Sequence, residues 1–566
     1  MSTLLASTAL DFNDYFSAVI GLLAGLGALL IGFKLLSDNM EKIASGGLKK
    51  MFSKVSKSKL AGVGIGAAAT AIVQSSGATT VMIVGFVNVG IMSLYQATAM
   101  IMGANIGTTI TAHIASLDGL DFGFSIDIVE IATAFTVVGI FMNMLCKKDG
   151  LKTIGLILGG LGLVFVGLEG MSASMKVFSE VEGVRTLLAN IDNPFLLLLV
   201  GVISTALIQS SSATTSIVLT MANAGLMMGS NATGVIYFIL GTNIGSCVTA
   251  MMSCIGASRN AVRTSVIHLM FNVLGATLFF ILLNIWDIIV APSNFMDMTI
   301  GAIFSNPGQQ IAVFHTLFNV ICTALFLPFA GVFVKLSGLI VPEKKETVQK
   351  VTFMDKRMLS TPAIAIEQLG KERVRMADMS MENLAVALDS YLKRDESTTE
   401  AILAKNEEIT ALNREIADYL VQVSSGDISL RDEKIISALH KDIGDIERIA
   451  EIADNLTKYT RREIKHNMTF SAGVNEKVEE MFKKIQDLYA EVRKVLVNKD
   501  FNGLSAVDEL ENDVDVMRKQ LVNDHIERLN AGQCKAENSS VFINLVCNLE
   551  RVGDHLCFVA HSMEEV

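Results

Sequence analysis

The chain has 566 residues, of which 51% are hydrophobic, and it carries a formal net charge of −11. Its mean hydropathy of +0.48 is too high for an ordinary soluble protein of this length. The negative charge argues against nucleic acid as a partner. Long uncharged runs lie before Val341, whereas residues 343–566 are densely charged, so the composition predicts a membrane region followed by a soluble helical region.

Apolar stretches long enough to cross a lipid bilayer, about 20 residues each, recur along the membrane region. The predicted spans are Phe16–Leu36, Ser93–Ser116, Asp127–Cys146, Ile154–Met171, Leu226–Ser253, Thr264–Leu283 and Gln310–Leu336. Two further stretches, Ala61–Val89 and Asn193–Ala224, are apolar but have Gln-Ser-Ser at their middle. A lipid-facing straight helix does not tolerate that polarity, so both stretches predict re-entrant hairpins whose tips are buried in protein.

Positively charged residues indicate the orientation in the membrane. They cluster in the predicted loops Lys42–Lys59 and Lys147–Lys152, and at Arg259–Arg263 and Lys335–Lys345. These clusters all fall on one side only if the two Gln-Ser-Ser stretches are hairpins. The pattern predicts a multi-pass protein of the bacterial inner (plasma) membrane, in contact with the lipid bilayer, with its N-terminus outside and its C-terminal domain in the cytoplasm.

The membrane region contains an internal repeat. Gln74–Thr80 matches Gln209–Thr215 at an offset of 135 residues, and Gly103–Thr108 matches Gly241–Ser246 at an offset of 138. The charge pattern places the two hairpins on opposite sides of the membrane, which makes the halves inverted copies. Inverted repeats with broken helices are typical of secondary transporters, whose substrate site lies between the repeats.

The Gln-Ser-Ser blocks predict a site for a tetrahedral oxyanion such as inorganic phosphate. A hairpin tip leaves the N–H groups of a helix terminus unpaired, and the helix dipole there attracts an anion. Serine hydroxyls and glutamine amides add further donors. The predicted phosphate-binding residues are Gln74, Ser75, Ser76, Gln209, Ser210, Ser211 and Ser212.

Neutral oxygens close to these blocks predict sodium sites, in segments expected to be broken at their glycines. The predicted sodium ligands are Thr79, Asn105, Thr108, Thr109, Thr214, Asn243 and Ser246. Residues 61–117 and 193–258 contain no Lys, Arg, Asp or Glu. Bound sodium would therefore supply the charge that a phosphate needs in low dielectric, which couples the two fluxes. The alternative is that these polar residues only hold membrane helices together, and Thr80 and Thr215 fit that role as well.

The doubled Gln-Ser-Ser block, followed by Gly-Ala-Asn-Ile-Gly-Thr-Thr and Gly-Thr-Asn-Ile-Gly-Ser, resembles the type II sodium–phosphate cotransporter family over about residues 16–336. The resemblance implies that the two motifs bind phosphate and sodium between inverted repeats. This sequence departs from the family at Gly77, where a third serine is frequent and where the second copy has Ser212. We therefore expect a different affinity or sodium stoichiometry.

Residues 355–566 show helical periodicity with charged outer faces. Glu447 and Glu451 share one helix face, and Glu550 and Asp554 repeat the pattern 103 residues later, which predicts a carboxylate clamp for a divalent metal. A solvated ion-pair face is the alternative for either pair. This region resembles the PhoU family, which implies two three-helix bundles, metal motifs and a role in phosphate regulation.

Together these patterns predict an all-α membrane protein with two inverted repeats, each with a re-entrant hairpin, followed by a soluble PhoU-like domain of two helical bundles. The predicted regions are a transmembrane domain at 1–341 (repeats at about 16–146 and 154–338), a linker at 342–354 and a cytoplasmic domain at 355–566. The predicted function is sodium-coupled phosphate transport by alternating access, with a regulatory cytoplasmic domain.

Three alternatives stay open at this level: transport of another oxyanion, phosphate export, and a phosphate sensor that binds without moving its substrate. An enzyme is not predicted, because the sequence has no Walker-type loop and no nucleophile–base constellation. Small residues that allow close helix packing favour a homodimer.

Overall fold

The computed structural model describes residues 12–53, 58–117, 128–229, 233–290, 295–342, 353–359, 361–426, 428–468, 470, 473–498 and 501–564. These residues contain helices and no β-strand, which confirms the predicted all-α class. The chain divides into two units, Met1–Gln349 and Lys350–Val566. Each unit is described by itself below, as the membrane unit and the soluble unit.

The helices of the membrane unit follow the apolar stretches of the sequence. They are α1 (Phe12–Ser53), α2 (Lys59–Val73), α3 (Ser76–Asn88), α4 (Leu94–Ser116), α5 (Ile128–Leu145), α6 (Asp149–Ser179), α7 (Glu182–Ala189), α8 (Pro194–Ile208), α9 (Ser211–Asn223), α10 (Thr233–Gly245), α11 (Cys247–Ser253), α12 (Arg259–Val290), α13 (Phe295–Met298), α14 (Pro307–Phe326) and α15 (Ala330–Ile340). A 3₁₀ turn, Leu327–Phe329, joins the last two.

Five stretches among the described residues are long and apolar enough to cross a membrane. They are Asn13–Ala44, Asp149–Ser179, Thr233–Ser253, Arg259–Val290 and Pro307–Ile340. A sixth candidate is the pair α7 and α8, which bends by 107°. Predicted spans at α4 and α5 do not meet these criteria. The reason at α4 is composition, since its centre carries Asn and Thr. Most residues of α4 are also buried by neighbouring helices.

The first Gln-Ser-Ser stretch forms a hairpin. Helices α2 and α4 run parallel, because position 62 lies beside Ala99 and position 107 lies beside Ala67 and Thr70. The start of α4 also lies near the start of α2, where the Lys59 ammonium is 5.2 Å from the centre of the Tyr95 ring. The intervening α3 must therefore run back toward the start of α2. The chain enters and leaves this hairpin at the same end, as the sequence predicts.

The second Gln-Ser-Ser stretch has the same construction. Positions 241 and 245 of α10 lie beside Leu198 and Val202 of α8, so these two helices are also parallel. The loop after α9 returns to the end of α7, just before α8, where the Gly229 N–H donates to Leu188 O at 3.0 Å. Helix α9 therefore runs back along the hairpin.

Helices α1 and α6 pack antiparallel through glycines. A Cβ at Gly25 would lie 2.8 Å from Gly167 O, and a Cβ at Gly32 would lie 2.9 Å from Gly160 O. Positions 25 and 160, and positions 32 and 167, correspond under the 135-residue offset of the repeat. Each helix thus presents the same positions to the other, a reciprocal contact that requires glycine because the backbones meet.

Two expectations about the membrane unit are wrong. The basic segment after Lys42 is not a loop, because α1 continues as a helix through Ser53. Helix α4 is not broken at Gly103 and Gly107 either, whereas in the second copy α10 ends at Gly245 and α11 begins at Cys247. The glycines of α4 allow close packing instead, since a Cβ at Gly103 would lie 2.0 Å from Val63 O. Helix α4 therefore exposes no backbone carbonyls for an ion at these glycines.

The soluble unit consists of two bundles of three helices, as predicted. The first contains α16 (Pro362–Lys393), α17 (Thr399–Ser424) and α18 (Leu430–Lys465), and the second contains α19 (Val474–Asn498), α20 (Leu504–Asn530) and α21 (Ser539–His561). Short 3₁₀ turns are found at Lys356–Met358, Phe501–Gly503 and Ala536–Asn538. Helix α18 packs on α21 and α16 packs on α19, which joins the bundles.

Apolar residues three and four positions apart face the interior of each bundle. On α18 these include Ile446, Ile449, Ala453 and Leu456, all of which are buried. Burial of each large aliphatic side chain stabilises the fold by about 1.5–3 kcal/mol.

Candidate functional site

The two hairpin tips have the same backbone conformation. Gln74 adopts φ 56°, ψ 21° and Ser75 adopts φ −143°, ψ 106°. In the second hairpin, Gln209 adopts φ 58°, ψ 21° and Ser210 adopts φ −143°, ψ 107°. The chain thus ends one helix in the left-handed region and begins the next from an extended residue. The sequence repeat is therefore also a repeat of local structure.

Glutamine is an unusual residue in the left-handed region. Among the described residues, the non-glycine residues with positive φ are Gln74, Gln209, Arg394 and Asn467. The left-handed conformation costs a residue with a side chain roughly 1–2 kcal/mol, and helices usually end there with glycine. Glutamine carries this backbone penalty in both copies, and residues held in unfavourable backbone conformations cluster at functional sites.

The tip serines cap helices α3 and α9. The Ser75 hydroxyl accepts a hydrogen bond from the Ala78 N–H at 3.2 Å, and the Ser210 hydroxyl accepts one from the Ala213 N–H, also at 3.2 Å. A capping hydroxyl uses a lone pair, so its own proton stays available to a ligand. Ser76 and Ser211 begin the helices, where backbone N–H groups point outward. Each tip therefore presents a set of donors suited to an anion.

The two glutamine side chains have different environments. Thr111 of α4 donates its hydroxyl to Gln74 Oε1 at 3.0 Å, and Gln74 Nε2 donates to Ala71 O. Gln209 is exposed. The offset of 138 residues pairs Thr111 with Thr249, whose hydroxyl donates to Ser246 O at 2.8 Å instead.

Thr249 also marks where one hairpin meets the other half of the unit. A Cβ at Gly77 would lie 3.5 Å from the Thr249 hydroxyl oxygen and 3.9 Å from the Ser75 hydroxyl oxygen. Helix α3 packs on α11, while α9 of the second hairpin packs on α4. Each hairpin therefore contacts the span that carries the Gly-x-Asn-Ile-Gly segment of the other half.

The predicted sodium ligands near the tips direct their protons to the backbone. The Thr79 hydroxyl donates to Ser75 O at 3.0 Å, and the Thr214 hydroxyl donates to Ser210 O at 2.9 Å. Both threonines are buried, with exposed fractions of 0% and 2%. A hydroxyl that has donated its proton keeps lone pairs, which are the atoms that a cation needs.

The predicted ligands on the spans follow the same pattern. Asn105 Nδ2 donates to Ile101 O at 3.0 Å and Asn243 Nδ2 donates to Ile239 O at 3.1 Å. The hydroxyls of Thr108, Thr109 and Ser246 donate to Ala104 O, Ile106 O and Asn243 O, respectively. The asparagine carbonyl oxygens are thereby directed away from their own helices.

His315 of α14 contacts this set, and its role was not predicted. Its Nε2–H donates to Asn243 Oδ1 at 3.3 Å, because that carbonyl oxygen can only accept. His113 of α4 likewise donates to the Thr316 hydroxyl at 2.8 Å, since that hydroxyl donates to Ala312 O. Helix α14 therefore connects the spans of the two halves at the level of the predicted ion ligands.

The paired His-x-x-Phe-Asn motifs of α12 and α14 are buried. Asn272 Nδ2 donates to His268 O at 3.0 Å and Asn319 Nδ2 donates to His315 O at 2.9 Å. In both motifs the asparagine amide is therefore held by a carbonyl of its own helix. The sequence also contained a signal for Thr111 and Thr249, since both lie three residues beyond the matched segments at the same offset.

In the soluble unit, the predicted pair Glu550 and Asp554 belongs to a larger acidic group. Burial raises the pKa of Glu511, and Asp554 and Asp515 raise it further. Burial and Asp554 also raise the pKa of Glu550, which pairs with Arg518 at 3.0 Å. Glu511 and Glu550 are thus repelled by neighbouring carboxylates, while Asp515 is paired with Arg518 and Lys519. A divalent cation would relieve the repulsion at the two glutamates. The Glu511-x-x-x-Asp515 spacing was visible in the sequence but was not recognised there.

The other predicted metal pair has weaker support. Glu447 accepts a hydrogen bond from the amide of Asn413, a neutral residue of α17. Glu451 is exposed. The donor set of the second bundle therefore fits a divalent metal better than that of the first.

Comparisons with known proteins match both units. The profile of the Na+/Pi-cotransporter family matches residues 28–173 and 171–291, and the profile of the PhoU domain matches residues 374–460 and 478–563. YqeW of Bacillus subtilis (strain 168) is 31% identical over 276 residues, which cover 49% of this chain and 82% of YqeW.

Two further relatives have names that mention phosphate. "Putative inorganic phosphate export protein YjbB" of Escherichia coli (strain K12) is 20% identical over 552 residues, 97% of each chain. "Sodium-dependent phosphate transport protein 2B" of Pongo abelii is 33% identical over 138 residues, which cover 23% of this chain and 20% of that protein. Both profiles match twice, in agreement with a duplication in each unit.

Proposed function

This chain belongs to the Na+/Pi-cotransporter family and carries PhoU domains in its C-terminal region, and on that premise we propose that it transports inorganic phosphate together with sodium. The membrane unit binds and moves the substrate. The soluble unit regulates that movement from the cytoplasm, and the N-terminus of the chain lies on the opposite side of a bacterial inner membrane.

The observation that carries the proposal is the pair of hairpin tips with the same backbone conformation. Each tip presents a helix N-terminus, a capping serine hydroxyl and a glutamine side chain, in a segment of sequence without charged residues. A phosphate can accept hydrogen bonds from several such donors at once. Hydrogen bonds to a charged group contribute about 1.5–3 kcal/mol each, so a small number of them suffices for specific binding.

Sodium supplies the positive charge that the protein lacks at these tips. The Thr79 and Thr214 hydroxyls donate their protons to carbonyl oxygens of the tips, so their lone pairs point away from those carbonyls. Asn105 and Asn243 lie on the adjacent spans. Neutral oxygens of this kind suit a hard monovalent cation. Phosphate binding without sodium would leave an unpaired anion in a region of low dielectric constant. Binding of phosphate to the tips is therefore coupled to binding of sodium.

Alternating access follows from an inverted relation between the halves. The antiparallel, reciprocal packing of α1 and α6 is the contact that two inverted copies make across a twofold axis. A site shared by two such halves opens to either side when one half rocks against the other. The name of YjbB, which aligns with 97% of this chain, favours export as the alternative direction.

The four carboxylates of Glu511, Asp515, Glu550 and Asp554 fit a divalent metal in the second bundle. A metal there would fix α20 against α21 and so set the rigidity of that bundle. Glu447 and Glu451 form the corresponding, weaker candidate in the first bundle.

The proposal is tested by uptake of radiolabelled phosphate into proteoliposomes that contain the intact chain, with a sodium gradient in either direction. Gln209→Ala removes the exposed tip glutamine, and Leu207→Ala serves as the matched control, because Leu207 is 79% exposed and lies two residues away on α8. We expect sodium-dependent flux in the intact chain and the control, with Gln209→Ala lowering it by about 10- to 100-fold through one lost charged hydrogen bond.

The outcomes separate the alternatives. Flux that requires sodium inside and carries phosphate outward supports the exporter direction of the same mechanism. Sodium-dependent phosphate binding without flux in either direction would replace the transporter by a sensor. Equal flux for Gln209→Ala and Leu207→Ala would refute the role of the hairpin tip.

A further inference from the structure

One side-chain cluster of the soluble unit lies outside the acidic group described above. Asp508 of α20 faces Cys557 and His561 of α21, and the latter two lie four residues apart on one face of their helix. His561 Nε2 is 2.8 Å from Asp508 Oδ1, and Cys557 Sγ is 3.7 Å from the same oxygen. The three ligand atoms all lie within 4.8 Å of one another.

A second carboxylate holds the other nitrogen of the same histidine. Glu564 Oε2 is 2.9 Å from His561 Nδ1, so the Nδ1–H donates to it. Nε2–H in turn donates to Asp508 Oδ1, so the two carboxylates favour the doubly protonated imidazolium in the metal-free protein. A metal ion would take the place of the Nε2 proton, while Nδ1–H would stay on Glu564. A histidine that ligates a metal almost always has a carboxylate or carbonyl on its other nitrogen in this way. The hydrogen bond to Glu564 uses Nδ1 of His561 and therefore involves none of the three proposed ligand atoms.

We propose that Asp508, Cys557 and His561 form a binding site for a zinc-class transition-metal ion, which they ligate through one oxygen, one sulfur and one nitrogen. Glu564 orients the histidine, and water completes a tetrahedral shell. The site adjoins the four-carboxylate group, since Glu511 and Asp554 act electrostatically on Cys557, but none of those four carboxylates is among its ligands. It does not depend on the proposed transport function.

The geometry fits this class of ion. Ligand bonds of about 2.0–2.3 Å place sulfur and oxygen about 3.5 Å apart on the edge of a tetrahedron, and nitrogen and oxygen about 3.4 Å apart. The sulfur–oxygen distance of 3.7 Å matches, while the nitrogen–oxygen distance of 2.8 Å must widen as the ion replaces the hydrogen bond between those atoms. Mixed sulfur and nitrogen ligands select zinc-like ions over magnesium or calcium.

The electrostatic surroundings also favour a cation. Burial raises the pKa of the Cys557 thiol to about 12, and Asp508 and Glu511 raise it as well. The free thiol therefore stays protonated at neutral pH. A bound divalent ion supplies the charge that releases the thiol proton and the His561 Nε2 proton to water, so metal binding leaves a thiolate and a neutral imidazole as ligands and two protons in solution.

The test uses Co2+ as a spectroscopic probe of the purified intact chain under reducing conditions. A thiolate bound to Co2+ gives a charge-transfer band in the near ultraviolet, and a tetrahedral ion gives strong visible bands. We expect both bands in the intact chain and their loss on addition of Zn2+. Cys557→Ser should abolish the charge-transfer band, whereas Cys547→Ser, at another half-buried cysteine of α21, should keep it.

A graded variant separates ligation from folding. Glu564→Gln keeps the three ligands, and we expect it to weaken Co2+ binding by about 10- to 100-fold while the band retains its shape. Circular dichroism confirms that each variant keeps its helical content. The proposal is overturned if the intact chain gives no thiolate band, or if the band persists in Cys557→Ser. It is also overturned if Co2+ binds without sulfur and is lost on Asp554→Asn, which would assign the ion to the carboxylate group alone.

Discussion

Gly77 is the position where the first Gln-Ser-Ser block lacks the hydroxyl that Ser212 supplies in the second. The structure shows that a side chain fits there, since a Cβ would lie in ordinary contact, 3.5 Å from the Thr249 hydroxyl oxygen. The absence of a serine is therefore not imposed by packing. A hydroxyl at this position would lie between the first tip and the span of the other half.

We predict that Gly77→Ser raises the apparent affinity for phosphate by about 3- to 10-fold, because one added hydrogen bond contributes about 0.5–1.5 kcal/mol. Gly77→Ala provides the matched control, since it adds the Cβ without the hydroxyl. The measurement is the phosphate concentration that gives half-maximal uptake. Equal affinities for the serine and alanine variants would place position 77 outside the binding site.

Glu463 gives the soluble unit a dependence on pH. The residue is 5% exposed, and burial raises its pKa from 4.5 to about 7, although the Arg394 guanidinium lies 3.5 Å away and lowers it. The folded state therefore binds a proton more readily than the unfolded state. The stabilisation from this proton is complete below about pH 4.5 and is lost as the pH rises through about 7.

We predict that the free energy of unfolding of the soluble unit falls between pH 5 and pH 8, the interval that contains the pKa of Glu463 in the folded state. Glu463→Gln should flatten this fall, because the amide does not ionise. Asp389→Asn, which alters a carboxylate with a side chain 60% exposed, should leave the slope unchanged. Hydrogen exchange of α18 in the intact chain measures the effect, and an unaltered slope for Glu463→Gln would disprove it.

At the scale of elements, glycine controls how closely each hairpin helix approaches the parallel span. On α2, a Cβ at Gly66 would lie 2.0 Å from Met100 O, whereas a Cβ at Gly64 would meet nothing within 4 Å. The two positions lie two residues apart on the same helix. They therefore form an internal comparison between a packing glycine and a free one.

We predict that Gly66→Ala separates α2 from α4 and lowers stability by about 1–3 kcal/mol or more, the usual effect of overpacking. Gly64→Ala should be neutral or stabilising by up to about 1 kcal/mol, because alanine favours a helix. Thermal unfolding of the purified chain in detergent measures both. If Gly64→Ala were as unstable as Gly66→Ala, the loss of stability at both positions would come from the change in backbone freedom and not from the contact between α2 and α4.

The sequence predicted the elements well where a local pattern specifies them. The Gln-Ser-Ser blocks gave both hairpins, because polar residues at the centre of an apolar stretch are incompatible with a straight lipid-facing helix. The expectation of broken helices failed at Gly103, because glycine can serve a turn or a close contact and only the neighbouring α2 decides which. The contact of His315 with Asn243 was not predictable, since the two residues lie 72 positions apart in the chain.

At the scale of the whole membrane unit, two halves share one substrate in the proposed mechanism. The asparagines that end the hairpins illustrate the shared construction. Asn88 Oδ1 accepts a hydrogen bond from the Ser258 N–H at the start of α12, and Asn223 Oδ1 accepts one from the Gly308 N–H at the start of α14. The return end of each hairpin is therefore fixed to the start of a long helix, while its tip contacts the span of the other half.

In the proposed site, one phosphate binds to both tips at once. Equilibrium binding of radiolabelled phosphate to the intact chain, in a buffer that contains sodium, tests this most directly. We predict one phosphate per chain, and a Gln74→Ala, Gln209→Ala double variant that loses less affinity than the two single variants combined. Residues that bind a common ligand couple by about 0.5 kcal/mol or more. Two phosphates per chain, each lost with one glutamine independently, would contradict a shared site.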